Sequence, residues 1–166
     1  MARALVGPAP LQTLPGTVLF GLYLLLLVWI PVPLGSNFPW AWGVLEIGIY
    51  GLLAGWLVLW GAGLARVPAA FRAAWPALIV LTAWIVEQAI YIAPVPRSWA
   101  EAISPETARI HALVDALAPP GDAIALSVDP YASRTSFLKT LAYAGAFVLT
   151  LVLVNSRARL RLLAQV

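Results

Sequence analysis

Two acidic residues lie inside long apolar stretches and are the first candidates for chemistry. Glu46 and Glu87 each lie about six residues from one end of their stretch. At about 1.5 Å rise per helical residue, this places them roughly 9 Å below that end. An ionisable side chain at such a depth in a bilayer is costly, and it is a candidate functional residue by default. The matching depths predict one polar layer between the two helices, joined by Lys139 or Arg134. The other interpretation is a structural pair, protonated or satisfied by Tyr50, Gln88 or Tyr91.

A second candidate site follows the sequence Asp129-Pro130, which is typical of a helix start. Tyr131 and Arg134 are three residues apart and therefore share one face of the first turn of this helix. A guanidinium offers a planar pair of donors to phosphate oxygens. These two residues are predicted to contact a lipid headgroup or a phosphate. The alternative is that they cap the helix and anchor it at the membrane interface.

Other kinds of site find little support in the chain. His111 is the single histidine, and no second ligand-type residue stands at a metal-binding spacing from it, which favours a surface histidine. We find no nucleophile paired with a base, no carboxylate pair in a cleft and no glycine-rich phosphate loop. The sequence therefore predicts no metal site and no cofactor, and we do not expect catalysis by this chain alone.

The composition tells which elements must position these residues. Of 166 residues, 62% are hydrophobic and 10% are charged, whereas a soluble domain carries roughly 25% charged residues. Several uninterrupted apolar stretches reach the roughly 20 residues that an α-helix needs to cross a bilayer. They predict an all-α integral membrane protein, since no alternating barrel pattern is present. The chain has no cysteine, so disulfides, thiolate catalysis and cysteine-bound metals are excluded. The net charge is +3, and the charged residues lie beside the apolar stretches. This distribution favours membrane lipids over nucleic acid as partners.

Four transmembrane helices are predicted, at about residues 15–33, 40–64, 75–93 and 137–154, forming a single transmembrane domain over residues 1–166. Residues 94–136 form a long loop. Within the second helix, the Gly51-x-x-x-Gly55 spacing predicts close helix packing, either inside this chain or at a dimer face. Four tryptophans near the helix ends are predicted interface anchors, because an indole keeps its N–H in water and its rings in the bilayer: Trp40, Trp42, Trp75 and Trp99.

The distribution of basic residues predicts the orientation. Both termini are placed on the cytoplasmic side, because that side then receives six arginines and no acid: Arg3, Arg66, Arg72, Arg157, Arg159 and Arg161. The long loop is then extracytoplasmic, and its basic residues are mixed with five of the seven acids.

The loop contains one predicted surface helix. Ser104-Pro105-Glu106 has the residues of a helix start, and the helix is expected to run to about Leu117. Its apolar stripe predicts a short amphipathic helix on the membrane surface or on top of the bundle: Ile103, Ile110, Leu113, Val114 and Leu117. Residues 119–121 (PPG) should end it, residues 123–128 should be extended, and the fourth helix should begin near Pro130.

Two segments resemble one family. Residues 33–40 (PLGSNFPW) resemble the turn after the first span of the O-antigen ligase and O-antigen polymerase superfamily. Residues 127–134 (SVDPYASR), followed by Lys139-x-Leu141-Ala142-Tyr143 and an arginine-rich end, resemble the segment before a later span of these proteins. The likeness covers about residues 14–163, which correspond to the amino-terminal third of a typical member. The outer loop that bears the functional arginines and histidine of the family has no counterpart here.

This resemblance implies a bacterial cytoplasmic membrane protein with its long loop in the periplasm, in the context of polysaccharide biosynthesis. One hypothesis is a non-catalytic accessory subunit that packs against other transmembrane proteins of a larger complex. The alternative is a truncated or split ligase- or polymerase-type protein that acts on polyprenyl-linked glycans at the outer face of the membrane. The missing catalytic portion favours the subunit, and the motif likeness favours the alternative as ancestry.

Overall fold

A computed structural model of the chain describes residues 14–32, 38–115 and 123–166. Eight helices and two short strands make up this part of the chain, in the order α1 (Leu14–Trp29), α2 (Pro39–Gly61), α3 (Ala69–Ala73), α4 (Trp75–Ile92), β1 (Pro94–Pro96), α5 (Arg97–Ile103), α6 (Pro105–Asp115), β2 (Ala123–Ala125), α7 (Pro130–Leu153) and α8 (Arg157–Ala164). They fall into two units, one formed by the residues up to 76 together with 142–166, and one by residues 77–141.

Three of the described helices are long and apolar enough to cross a membrane, namely α2, α4 and α7. This agrees with the predicted all-α membrane protein. The predicted first span is shorter than expected, because α1 has 16 residues and covers about 24 Å at 1.5 Å per residue, against a hydrocarbon thickness of about 30 Å. Residues 30–32 form a turn after it, and residue 33 lies outside the described part.

The first unit is built on an antiparallel pair of helices. A Cβ atom at Gly48 would lie 2.8 Å from a methyl carbon of Leu26, and one at Gly55 would lie 3.1 Å from a methyl carbon of Leu19. Gly48 and Gly55 are therefore the positions at which α2 admits side chains of α1. Gly51 has nothing within 4 Å. Within this chain the close contact thus depends on Gly48 and Gly55, whereas the sequence had favoured Gly51 with Gly55.

The carboxyl-terminal half of α7 packs on a different face of α2 and also contacts α1. A Cβ atom at Gly145 would lie 2.6 Å from Ile49 Cγ2 and 2.8 Å from Leu53 Cδ1. Tyr23 of α1 is 2% exposed, and its hydroxyl donates a hydrogen bond to the Ala146 carbonyl at 3.0 Å. Ten buried residues from α1, α2, α7 and the α2–α3 connection form one apolar core: Phe20, Tyr23, Leu45, Ile49, Leu52, Trp56, Ala65, Leu149, Val152 and Leu153.

In the first unit, hydrogen-bonded caps define the end of α2 and the start of α8. α2 ends in a Schellman motif, with Gly63 at φ 73°, a Leu64 N–H to Leu59 carbonyl bond of 2.9 Å and a Gly63 N–H to Trp60 carbonyl bond of 3.0 Å. This ends the helix three residues before the predicted residue 64. α8 begins with the Ser156 hydroxyl accepting from the Arg159 N–H at 3.2 Å, as expected for a helix N-cap.

The second unit places a small folded head beside the end of α4. β1 and β2 pair antiparallel, with Val95 opposite Ile124, and the buried side chains of Ala100, Ala108, Ile124 and Leu126 form its core. The sequence had predicted one surface helix in this loop, whereas the structure has two helices and a ribbon. Prolines 94 and 96 lack an N–H, so β1 is suited to a ribbon edge.

The predicted loop helix begins as expected, since α6 starts at Pro105 after Ser104. Its buried residues are Thr107 and Ala108, and the predicted apolar stripe is largely exposed, including Leu113 and Val114. Residues 116–122, where the helix was predicted to end, lie outside the described part. The fourth predicted helix starts at Pro130, as expected from Asp129-Pro130.

Replacing Gly145 with leucine should destabilise the first unit by about 1–3 kcal/mol, because the added atoms collide with Ile49 and Leu53. The matched control is Gly51→Leu, since a Cβ atom there meets nothing within 4 Å. Thermal unfolding in detergent, followed by tryptophan fluorescence, measures both variants. Equal melting temperatures for the two would contradict the close packing of α7 on α2.

Candidate functional site

An open groove with both polar and apolar groups in its walls lies between the second half of α4 and the beginning of α7. Its volume is about 490 Å³. From α4 the lining residues are Trp84, Glu87, Gln88 and Tyr91. These residues recur at spacings of three, four and seven, so they share one face of the helix. α4 therefore presents to this groove the polar side chains of an otherwise apolar helix.

The opposite wall consists of hydroxyl groups. Ser133, Ser136 and Thr140 of α7 line the groove, and their spacings of three and seven again select one helical face. Thr140 is buried, with 7% of its surface exposed, whereas Ser136 is exposed. Two helical stripes that are separated by some forty residues in the chain thus face the same cavity.

The groove has an acidic character. Among the residues that line it there is one acid, Glu87, and no base. Within the described part of the chain, the side chains of Glu87 and Gln88 form no hydrogen bond or ion pair. Trp84 and Tyr91 are each about half exposed. The site therefore offers a carboxylate and an amide between two aromatic rings, opposite a row of hydroxyls.

Backbone and side-chain hydrogen bonds hold the mouth of the groove. The Ser127 N–H donates to the Tyr91 carbonyl at 3.0 Å, which ties the segment before α7 to the end of α4. Asp129 caps α7, since its Oδ1 accepts from the Ala132 N–H at 2.9 Å. The hydroxyls of Ser127 and Ser133 are 2.6 Å apart. Residues 127–134 thus position the first turn of α7.

A second cavity of about 570 Å³ lies on another side of α4. Its walls include Val86 and Ile90 of α4 and Ile103 and Leu126 of the folded head. Glu87 borders this cavity as well as the groove. Apart from Glu87, Tyr91 and Ser104, its lining is apolar, so it offers few groups for recognition.

The residues of the predicted polar layer fall into the two units. Glu46 is half-buried on α2 in the first unit, with Tyr50 one turn further along. Glu87 is exposed and Lys139 is half-buried, and both belong to the second unit. The structure brings Glu87 together with Gln88 and Tyr91 at the groove, two of the side chains expected to satisfy it. A shared layer with Glu46 and Lys139 stays a prediction.

The predicted headgroup residues lie on the first turns of α7 and outside the groove lining. Tyr131 is 83% exposed and Arg134 is also exposed, so both are accessible to a headgroup or to water. Their predicted phosphate contact stays a prediction. Of the predicted anchors, three are strongly exposed, namely Trp40, Trp75 and Trp99, and their place at a membrane interface stays a prediction. Trp42 is half-buried.

The remaining polar residues of the head serve its fold. Arg97 forms an ion pair with Asp115 that joins α5 to the end of α6. His111 is half-buried, and its Nε2 lies 3.1 Å from the Ser127 carbonyl oxygen, so it bridges α6 and the segment before α7. Hydrogen bonds from Arg109 hold the pKa of the exposed Glu106 carboxyl below its ordinary value. No cluster of three histidine, aspartate or glutamate residues suited to a metal ion occurs among the described residues.

The sequence did not lead us to predict the hydroxyl stripe of the groove, which consists of Ser133, Ser136 and Thr140. Ser133, Ser136 and Thr140 lie in a helix start and in an apolar segment, where serine and threonine are common and satisfy their hydroxyls on the preceding turn. The signal that could have found them is their helical spacing, which matches that of Trp84, Glu87 and Tyr91 on α4. Two matching polar stripes on separate helices favour a shared cavity.

Asp129→Ala should weaken the first turn of α7, because the Ala132 N–H loses its acceptor. A lost N-cap costs about 0.5–2 kcal/mol. Arg134→Ala, one turn away and exposed, should change stability by less than about 0.5 kcal/mol. Hydrogen exchange of the amides in residues 130–136 measures the difference. Faster exchange in the Arg134 variant than in the Asp129 variant would show that Arg134 has a structural partner.

Comparison of the chain with family models, with curated proteins and with solved structures gave no match. What the chain does must therefore be argued from its helices, its exposed surfaces and the α4–α7 groove.

Proposed function

We propose that this chain is a non-catalytic integral membrane subunit that packs against a larger membrane complex. The observation that supports the proposal is the exposure of α4 along its whole length. This helix has 18 residues and is apolar enough to cross a membrane, yet none of its residues is buried. By contrast, α2 buries Ala41, Leu45, Ile49, Leu52 and Trp56 within the first unit.

An unpacked spanning helix contributes surface for association. Helices in a bilayer associate through close van der Waals packing, because the lipid is as apolar as the side chains. α4 exposes Ile79 and Val80 strongly, at 58% and 70%. The hydroxyl of Thr82 on the same helix is satisfied internally by the Leu78 carbonyl at 2.7 Å. This stretch therefore presents an apolar surface with no unsatisfied polar group, which suits a partner helix.

The first unit offers a second surface of the same kind. A groove of about 610 Å³ runs between α1 and α2, and its lining is nearly all apolar. Gly51 lines this groove with open space above its Cα, and Leu22, Leu25 and Ile47 form exposed walls. A glycine on the floor of an apolar groove allows another helix to approach closely. We assign the groove to the same packing role.

The likeness of residues 33–40 and 127–134 to the O-antigen ligase and polymerase superfamily supports a bacterial cytoplasmic membrane location and a common ancestry. Residues 33–37 of the first segment lie outside the described residues. In the second segment, Ser127, Asp129 and Ser133 make hydrogen bonds that start α7. We therefore propose that the segment is retained for architecture, which fits a subunit without catalysis.

The alternative is a truncated or split ligase- or polymerase-type protein that acts on polyprenyl-linked glycans. The α4–α7 groove favours it, because aromatic rings with amide and hydroxyl groups are also suited to a sugar. A deletion of the gene separates the two proposals. Shortened surface polysaccharide supports the alternative, whereas unchanged polysaccharide together with loss of a membrane complex supports the subunit.

A photo-crosslinking amino acid at Val80 should give one discrete protein adduct in native membranes, because Val80 is 70% exposed on α4. The matched position is Leu57 on α2, which is 52% exposed and lies outside the α1–α2 groove lining. We expect a much weaker adduct there. Lipid adducts alone at both Ile79 and Val80 would contradict packing of α4 on a partner protein.

We also propose that both termini are cytoplasmic and that the head formed by α5, α6 and the ribbon is periplasmic. The chain has no cysteine, so single cysteines report their own position. Ser98→Cys and Ala158→Cys are both at exposed positions. A membrane-impermeant maleimide applied to intact cells should label residue 98 and spare residue 158 until the membrane is permeabilised. The reverse pattern would overturn this topology.

A further inference from the structure

We propose that the α4–α7 groove binds a primary ammonium group, carried by a membrane lipid such as phosphatidylethanolamine. The Glu87 carboxylate, flanked by Trp84 and Tyr91 and faced by Ser136, forms the recognition site. This proposal does not depend on the larger complex, since every residue involved belongs to this chain.

The charge of the groove selects a cation. The lining contains one carboxylate and no base, and in the described residues the Glu87 side chain has no ion-pair partner. A carboxylate near hydrocarbon is costly unless a positive charge or several donors compensate it. A neutral sugar supplies donors without charge, and a phosphate group without a cation would add a repelling charge. In phosphatidylethanolamine the phosphodiester is separated from the ammonium by two carbons, so the ammonium can face Glu87 while the phosphate stays outside the groove. An ammonium ion supplies both the charge and the donors.

The aromatic rings support the same choice. Trp84 and Tyr91 lie one turn to either side of Glu87 on the same helical face. A cation over the face of an indole or phenol ring is attracted by its quadrupole, and the attraction increases when water is excluded. The site thus combines a carboxylate with two aromatic side chains in one groove lining, and such a combination suits an organic ammonium.

The helix ends do not reverse this preference. The last turns of α4 carry partial negative charge and the first turn of α7 carries partial positive charge, each equivalent to about half an elementary charge. These two ends act in opposite directions at the groove. Asp129 in addition places a carboxylate on the amino end of α7, where it accepts from Ala132. The full charge of Glu87 therefore decides the sign.

The hydrogen-bonding groups favour a primary over a quaternary ammonium. The carboxylate of Glu87, the amide oxygen of Gln88 and the hydroxyl of Ser136 are acceptors that a primary ammonium can bind with its three N–H groups. A trimethylammonium group has no N–H and would leave these acceptors unpaired. The groove should therefore distinguish phosphatidylethanolamine from phosphatidylcholine, although both are zwitterionic, with one ammonium and one phosphodiester group.

The position of the groove points to a lipid as the source of the ammonium. Both walls belong to helices that are long and apolar enough to cross a membrane. Glu87 lies five residues before Ile92, the last residue of α4, which is about 7.5 Å at 1.5 Å per residue. Ser133 and Ser136 lie in the first two turns of α7. This level, close to the ends of both helices, is where lipid headgroups meet the hydrocarbon.

The test is lipid retention by the purified full chain, measured by native mass spectrometry after exchange into phosphatidylethanolamine, phosphatidylcholine or phosphatidylglycerol with identical acyl chains. We expect phosphatidylethanolamine to be retained at least about tenfold better than the other two, because charge-assisted hydrogen bonds distinguish it. Equal retention of all three lipids would overturn the proposal. A preference for phosphatidylglycerol would do so as well.

Three variants locate the site. Glu87→Gln should abolish the preference, and Ser136→Ala should reduce it by at least about two- to tenfold, as expected for the loss of one hydrogen bond. Glu101→Gln is the matched control, because Glu101 is an exposed acid of the same unit outside the groove lining. A preference that survives both groove variants, or is lost equally in the control, would refute the assignment to this groove.

A last comparison identifies the source of the ammonium. Water-soluble glycerophosphoethanolamine should compete poorly with the lipid, since it lacks the acyl chains that hold the headgroup at the level of Glu87. Equal competition would retain the ammonium chemistry and overturn the lipid source. A neutral galactolipid that is retained better than phosphatidylethanolamine would overturn the ammonium itself and favour a sugar.

Discussion

The first unit depends on how closely α2 can be approached from two sides. Gly48 and Gly55 receive leucine side chains of α1, and Gly145 brings α7 against Ile49 and Leu53. In a bilayer no hydrophobic gain drives helices together, so such small residues determine which faces can pack. The hydroxyl of Tyr23 adds a directional contact, since Thr150 Oγ1 lies 2.6 Å away and the Ala146 carbonyl accepts its proton. The register of the three helices follows from these few contacts.

The second unit is stabilised mainly by hydrogen bonds and an ion pair around its small head. Its head has a small core, and the two-stranded ribbon, the Arg97–Asp115 pair and the Asp129 cap fix its ends. Because the ribbon follows the end of α4 and the Asp129 cap lies at the start of α7, interactions that order the head also shape the groove. The chemistry of the site and the stability of the head are therefore linked through Ser127, which binds both Tyr91 and Ser133.

Much of the secondary structure could be predicted from the sequence, because apolar length and helix starts are local signals. Pro39, Pro105 and Pro130 each lie in the first turn of a helix, as their chemistry predicts. The strand of three residues at Pro94–Pro96 has no periodicity from which it could be predicted. The choice of Gly48 over Gly51 could not be predicted either, since it depends on which face of α2 meets α1.

The candidate site was predictable in part. Glu87 could be singled out because an acid in an apolar helix is conspicuous, and Gln88 and Tyr91 were expected near it. The hydroxyl wall was missed, because the helical spacing of Ser133, Ser136 and Thr140 indicates a site only when it is compared with the matching spacing on α4. The proposed partnership of Glu87 with Glu46 rested on equal depth along two helices, and depth does not specify which faces of the helices meet.

The hydrogen bond from Tyr23 to Ala146 joins residues that are 123 positions apart. During synthesis, α1 and α2 leave the ribosome long before α7, and their glycine contacts allow them to pair at once. The side chains of Ile49 and Leu53 lack their contact with α7 until Gly145 has been synthesised. Translation therefore delivers α1 and α2 before the helix that completes their shared core. In the interval, the face of α2 that α7 will cover must be shielded by lipid or by the insertion machinery.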